Sequence, residues 1–225
     1  MAKKSSIFDM IGPVMIGPSS SHTAGVVRIG RVAFKLLGKA PKEAEITFYN
    51  SFARTYEGHG SDRAILGGLM GFNPDDERIK NAIDIANEKE MVYQFRPIGN
   101  ASIHHPNTVK LKVRTEDEQL ELVGVSKGGG IIQIKELDGF NANFSAENHT
   151  LIVKAEDRRG SISFIASILA QDDCNIADMT VSRKGKNDIA CQFIEMDSGI
   201  REVTLQYLSS LAWVHEVKYI PNIRQ

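Results

Sequence analysis

The sequence is poor in cysteine: only Cys174 and Cys191 occur among its 225 residues. Neither belongs to a Cys-x-x-Cys pair, and neither has a histidine at metal-ligand spacing. The count excludes a disulfide-stapled scaffold. It also excludes a [4Fe–4S] cluster held by this chain alone, since such clusters take about four thiolates. Both thiols are therefore expected as small, buried, apolar groups, and no metal site is expected in this chain. A surplus of charge of either sign is missing too. The 27 Lys and Arg residues against 28 Asp and Glu leave a net charge of −1 and a pI near 6.6. Without a basic excess to neutralise phosphates, nucleic acid is not an expected partner. No apolar run approaches the ~20 residues of a membrane-spanning helix. The first ten residues are too short and polar a stretch for a signal peptide. A cytoplasmic protein without a membrane partner is the expectation. Also absent are a Gly-Lys-Ser/Thr phosphate loop and a Gly-x-Ser-x-Gly nucleophile elbow.

What is present supports a packed core: 42% hydrophobic and 24% charged residues are ordinary for folded protein. The length allows one large domain or two small ones. A polar loop from residue 19 runs into a helix ending at Gly38, with Ser20 or Ser21 as its cap. Ile46, Phe48, Asn50 and Phe52 alternate as in a strand. Asp62 is placed to cap a helix over 64–70, and Ile79, Ala82, Ile83 and Ala86 follow helical spacing. Short strands then follow at 91–96, 109–113, 120–122 and 131–134, with a turn at 115–118. Residues 141–148 read as a small polar linker. Beyond it the pattern is strand 150–155, helix 160–171, strands 175–184 and 188–196 around a turn at 184–187, helix 200–211 and strand 214–220. That order is βαββαβ, the ferredoxin-like arrangement. The expected fold class is α+β, with a mixed α/β domain over 1–140, a linker over 141–148 and a small βαββαβ domain over 149–225.

Four clusters could carry chemistry. In Gly17-Pro18-Ser19-Ser20-Ser21-His22-Thr23-Ala24-Gly25, hydroxyls and free amides gather where a helix begins. Helix amino ends lack internal acceptors and carry positive potential, which suits a carboxylate or phosphate. The same field disfavours imidazolium, so His22 should be neutral and able to accept a proton. A serine-rich capping loop with a surface histidine is the plainer reading. In Gly58-His59-Gly60-Ser61-Asp62-Arg63, two glycines let the backbone approach a ligand or simply turn. In His104-His105-Pro106-Asn107, adjacent histidines on a strand would point to opposite faces, which argues against shared metal ligation. Lys127-Gly128-Gly129-Gly130 is a turn or an anion cradle.

Taken together, the run from Phe8 to Pro13, the Ser-Ser-Ser-His-Thr segment, Gly58–Ala64, His105-Pro106-Asn107 and the triple glycine resemble, in order, bacterial iron–sulfur L-serine dehydratases. The resemblance implies an L-serine ammonia-lyase whose [4Fe–4S] cluster sits on an alpha part. Because this chain lacks those cysteines, the two-subunit form is implied, with this chain as beta subunit. It implies β-elimination of water from L-serine, the unique iron of the partner's cluster acting as Lewis acid on the hydroxyl. The aminoacrylate formed then hydrolyses to pyruvate and ammonia. On this reading the catalytic residues are His22, Ser20, Ser21 and Thr23. Ser19, His59, Asp62, His105 and Asn107 would bind substrate. The first domain resembles an alternative-substrate-binding domain. The second resembles an ACT domain, a type that dimerises and binds small amino acids. Asp157, Arg158, Gly160, Asn175 and Ile176 match its effector positions, although Arg159 replaces the usual proline and Ala155 stands where some serine-sensing domains have histidine. The alternative is an amino-acid-sensing regulatory protein without catalysis.

Overall fold

The computed structural model describes residues 14–101 and 105–223. The segment 8–13 and His104 lie outside the described residues. The chain divides into two compact units, the first ending at Asp138 and the second starting at Gly139. In the first, a π-helical turn (Ser20–Ala24) leads into α1 (Gly25–Leu37), β1 (Glu43–Tyr49), α2 (Ser51–Thr55) and α3 (Ser61–Leu69). A 3-10 turn (Glu77–Asn81), α4 (Ala82–Glu88), β2 (Val92–Ile98), β3 (Thr108–Arg114), β4 (Gln119–Gly128) and β5 (Ile131–Leu137) complete it. The strands of this unit lie in the order β2-β1-β3-β4-β5. Only β1 and β2 are parallel, and the helices between them supply the crossover that a parallel pair needs.

Alternation sets the buried face. Val109, Leu111 and Val113 of β3 are buried while Lys112 and Arg114 are exposed, so one side of the sheet takes the helices and the other is charged. Helix α1 is buried almost all round, from Gly25 to Ala33. It crosses α3 at glycines. A β-carbon on Gly30 would stand 2.8 Å from the Ile65 carbonyl oxygen, and one on Gly68 would meet the Val27 carbonyl oxygen. A β-carbon on Gly124 of β4 would lie 2.8 Å from Ile29 of α1.

Three local expectations change. The strand expected through Phe52 stops at Tyr49, because Asn50 turns the backbone at φ 53° and ψ −112°. Phe52 remains in the core but from α2. The helix cap is Ser19, not Ser20 or Ser21: its Oγ accepts from the His22 amide at 3.2 Å. Asp62 makes no cap bond either; it lies in the first turn of α3 behind Gly60, and its Oδ1 accepts from the adjoining Arg63 amide.

The second unit contains β6 (Phe140–Phe144), β7 (His149–Glu156), α5 (Ser161–Gln171), β8 (Ile176–Arg183), β9 (Ile189–Met196), α6 (Glu202–Ser210) and β10 (Val214–Ile220). Its antiparallel four-stranded sheet runs β10-β7-β9-β8, which with the two helices is the ferredoxin-like βαββαβ order. The molecule is α+β. Leu151, Val153, Ile194 and Met196 face Ile165, Leu169 and Leu208 in one core. Residues 141–148, expected as a linker, are in part this unit's own structure. Phe140, Ala142 and Phe144 alternate inward, and Phe144 stacks on Phe193 at 5.7 Å. Ser145 donates through its amide and hydroxyl to Glu195, and Ala146 is buried. The intervening asparagines mask that period-2 pattern in the sequence. Among the described residues no helix is long and apolar enough to cross a membrane.

Candidate functional site

The serine-rich segment closes on itself before it meets anything else. Ser19, in extended backbone, accepts the Thr23 amide on its carbonyl and the His22 amide on its hydroxyl. The Gly25 amide reaches back to the Ser20 carbonyl, widening this first turn to π geometry. Widened turns of this kind recur at functional positions because they re-aim side chains. Gly25 has no room for a side chain: its β-carbon would meet the hydroxyl of the wholly buried Ser126.

This turn directs His22 inward. Its Nδ1 lies 2.9 Å from Ser21 Oγ and 3.4 Å from Ser19 Oγ, and those two hydroxyls stand 3.3 Å apart. Its Nε2 faces Ser51 Oγ at 3.4 Å. The ring meets Phe52 and His59 edge-on, at centroid distances of 5.0 and 4.9 Å. The backbone is tied down as well: Ser61 Oγ donates to the His22 carbonyl at 2.7 Å, and Thr23 Oγ1 donates to the His59 carbonyl at 3.2 Å. Burial, and then the neighbouring His59, lower the His22 pKa below its ordinary 6.5. The imidazole is therefore held neutral, the form that accepts protons.

His59 comes from the glycine-flanked turn before α3, and its Nδ1 is buried with no partner among the described residues. It also lines a cavity of about 330 Å³ with Gly17, Pro18, Thr23, Arg63 and Lys80. His22 does not line that cavity. Asp62 forms no bond to either histidine; burial raises its pKa. His105 and Asn107 enter through the backbone. The Ser51 amide donates to the Pro106 carbonyl at 2.9 Å, and the Ser126 amide to the Asn107 carbonyl at 3.0 Å. His105 Nδ1 accepts from the Asn107 amide, and burial followed by Lys127 and Lys135 lowers its pKa. The triple glycine is a turn with φ of 95°, 61° and 76°, a left-handed run that only glycine adopts readily. Arg28 of α1 holds it, donating to the Gly130 carbonyl at 2.6 Å.

The first unit thus brings Ser19, Ser21, His22, Thr23 and His59 together, while Pro106, between His105 and Asn107, accepts from the Ser51 amide. Ser20 contributes its carbonyl. Reasoning from the sequence missed Ser51 and Ser126, which are isolated serines with no local pattern, and gave Ser61 no role within its cluster. Only Asn50-Ser51, a turn-forming dipeptide directly after a strand, carried a signal that could have been used.

The residues expected to bind an effector fall into two groups. Asp157 is occupied: its Oδ2 accepts from Arg183 at 3.0 Å and from the Asn187 amide at 3.1 Å. Arg158 lies over the Trp213 ring, and Gly160 caps α5 at φ 83°. Asn175 donates to Asp197 beside the start of β8, where Ile176 pairs with Met196. The strand register puts Glu156 opposite Ile189 and His149 opposite Met196. The two groups therefore lie at opposite ends of the sheet, about 23 Å apart at ~3.3 Å per strand residue.

The family described as serine dehydratase beta chain matches residues 6–137. A Bacillus subtilis (strain 168) protein named probable L-serine dehydratase, beta chain, is 47% identical over 98% of this chain and 100% of its own length. The L-serine dehydratase beta chain of Peptoniphilus asaccharolyticus is 33% identical over 96% of this chain and 97% of its own. Among solved structures, the ACT domain from GTP pyrophosphokinase of Chlorobium tepidum covers 32% of this chain and 94% of its own, at 16% identity and a TM-score of 0.25.

Proposed function

The chain belongs to the serine dehydratase beta-chain family, and from that membership we propose that it is the beta subunit of a [4Fe–4S]-dependent L-serine dehydratase that yields pyruvate and ammonia. The cluster resides on a separate alpha subunit. Supporting this are two relatives named as beta chains that match this chain nearly end to end. The residues here do not fit the cluster. Cys174 and Cys191 are both buried in the second unit, two thiols where about four are needed. No step performed by this chain runs through that group.

What this chain supplies is the proton chemistry. Eliminating water from L-serine requires removal of the α-proton, and hydrolysis of the resulting aminoacrylate gives pyruvate and ammonia. His22 is the base. One observation carries this reading: a neutral imidazole, ringed by hydroxyls, sits at the amino end of a buried helix. Ser19, Ser20, Ser21 and Thr23 form the loop that closes on the substrate where the alpha subunit docks. The positive potential of the helix end suits the substrate carboxylate. His59, Asp62, His105 and Asn107 orient that loop or the carboxylate.

The second unit is the amino-acid-sensing part. One protomer cannot unite Asp157, Arg158 and Gly160 with Asn175 and Ile176, so the effector site forms when two βαββαβ units dimerise. The decisive test is His22→Ala in a complex reconstituted anaerobically with a cluster-bearing alpha chain, assayed as pyruvate from L-serine. Assembly is retained and kcat falls by ~10²–10⁴, the contribution of a well-placed base. A near-normal kcat would sink the assignment of His22.

A further inference from the structure

Deepening the reading of His22 as the base, we infer that Asn50 and Ser51 form a second clamp on its imidazole, with Ser51 the positioning residue that fixes the ring plane at Nε2. The first clamp is local: Ser21 and Ser19 stand at Nδ1 within the same turn. Nothing in that turn reaches the other nitrogen. The hydroxyl that does so comes from 29 residues further along the chain, at 3.4 Å. That distance is long for a hydrogen bond, as contacts at catalytic groups often are before substrate arrives.

Ser51 is not placed by ordinary strand or helix geometry. Its predecessor Asn50 has φ 53° and ψ −112°. Those dihedrals are near the roughly +60° and −120° of the first central residue of a II′ turn, where glycine is usual. A non-glycine residue there stores strain and persists only if its surroundings hold it. Here they do. The Asn50 side chain donates to the Ala101 carbonyl at 3.0 Å and accepts from the Ala101 amide at 2.8 Å. The Asn50 amide donates to the Ile98 carbonyl, and the Ser51 amide donates to the Pro106 carbonyl. Four backbone and side-chain bonds thus fix the one dipeptide whose hydroxyl meets His22 Nε2. Phe52, the next residue, packs its ring edge-on to the same imidazole. Two consecutive residues therefore meet the His22 ring, and the strained Asn50 before them anchors both. Strain retained beside a reactive group is accounted for if it aims Ser51.

The experiment reads the imidazole directly. Ring-nitrogen NMR shifts of His22 in the full-length chain report the hydrogen bonding at each nitrogen and the pKa, in wild type, Ser51→Ala, Ser51→Thr and Asn50→Ala. The Nε2 shift is alike in wild type and in Ser51→Thr, which keeps the hydroxyl. In Ser51→Ala and Asn50→Ala the Nε2 shift moves away from the wild-type value while the Nδ1 partners are unchanged. In the reconstituted complex, Ser51→Ala lowers kcat about 10-fold with KM little changed, and Ser51→Thr restores most of it. A His22 Nε2 shift and pKa that are the same in Ser51→Ala as in wild type overturn the clamp. That readout needs no turnover. If the clamp appears by NMR while His22→Ala retains activity, it is the assignment of His22 as base that fails.

Discussion

At the scale of single residues, the decisive pair is His22 and His59. Their rings stand 4.9 Å apart, and burial followed by that neighbour lowers the His22 pKa. The sign has two consequences. In the proposed role of base His22 must be unprotonated, so the acid limb of kcat/KM in the assembled enzyme should fall below pH 6.5, the ordinary histidine value. The unfolded chain binds a proton near 6.5 while the folded chain resists it. The stability associated with neutral His22 is therefore present above that pH and lost as pH falls through the lowered value. Replacing His59 by Gln removes the second cause and leaves the larger one, so the acid limb shifts upward but only part of the way. A pH–rate profile of His59→Gln in the complex checks this, and a limb that moves downward would contradict the electrostatic account. Much of this site was legible because its residues are contiguous: a Ser-Ser-Ser-His-Thr run before a helix signals a capped amino end on composition alone. Ser51 and Ser126 were not, since an isolated serine has the same local appearance in a loop, a cap or a site. Long-range pairing decides among those.

At the scale of elements, the alternation of β3 and the helical spacing of α5 and α6 were readable because each has one buried face. The failures came where a polar residue is turned to structural use. Asn50 ends β1 by adopting a positive φ, and Asn141 and Asn143 hide the inward alternation of β6. Gly30 and Gly68 could be read only as helix-interior glycines, which ordinarily weaken a helix. The structure gives them a purpose: they let α1 and α3 approach until backbone meets backbone. That contact holds the amino end of α1, and with it His22, against the turn that carries His59. Gly68→Ala should therefore destabilise the chain by about 1–3 kcal/mol, the usual range for overpacking a tight core. The neighbour it meets is the Val27 backbone, which cannot swing aside as a side chain could. A chemical denaturation midpoint measures the loss. An unchanged midpoint would mean that the helices separate at little cost, and the crossing would not be what positions the loop.

At the scale of the whole molecule, the chemistry of the site and the inventory of the chain do not match. The first unit concentrates hydroxyls and imidazoles around a helix end, groups that bind carboxylates and move protons. Removing a hydroxyl from L-serine also needs something to stabilise the departing oxygen. Among the described residues no group of three or more His, Cys, Asp or Glu is arranged to hold a metal ion. The two thiols lie buried in the other unit, with Cys174 in the core of the βαββαβ sheet. On the proposed function this chain is half of an enzyme, and its behaviour when isolated follows. Purified without a partner and incubated anaerobically with iron and sulfide, it should stay colourless and form no pyruvate from L-serine. Repeating the incubation with a cluster-bearing alpha chain should bring both the brown colour and the activity. His22→Ala should then keep the colour and lose the activity, since the proposed function puts the cluster's ligands and the proton acceptor on different polypeptides. A brown, active preparation of this chain alone would reverse that division of labour. Loss of colour on replacing His22 would instead make the histidine a contributor to the cluster's stability.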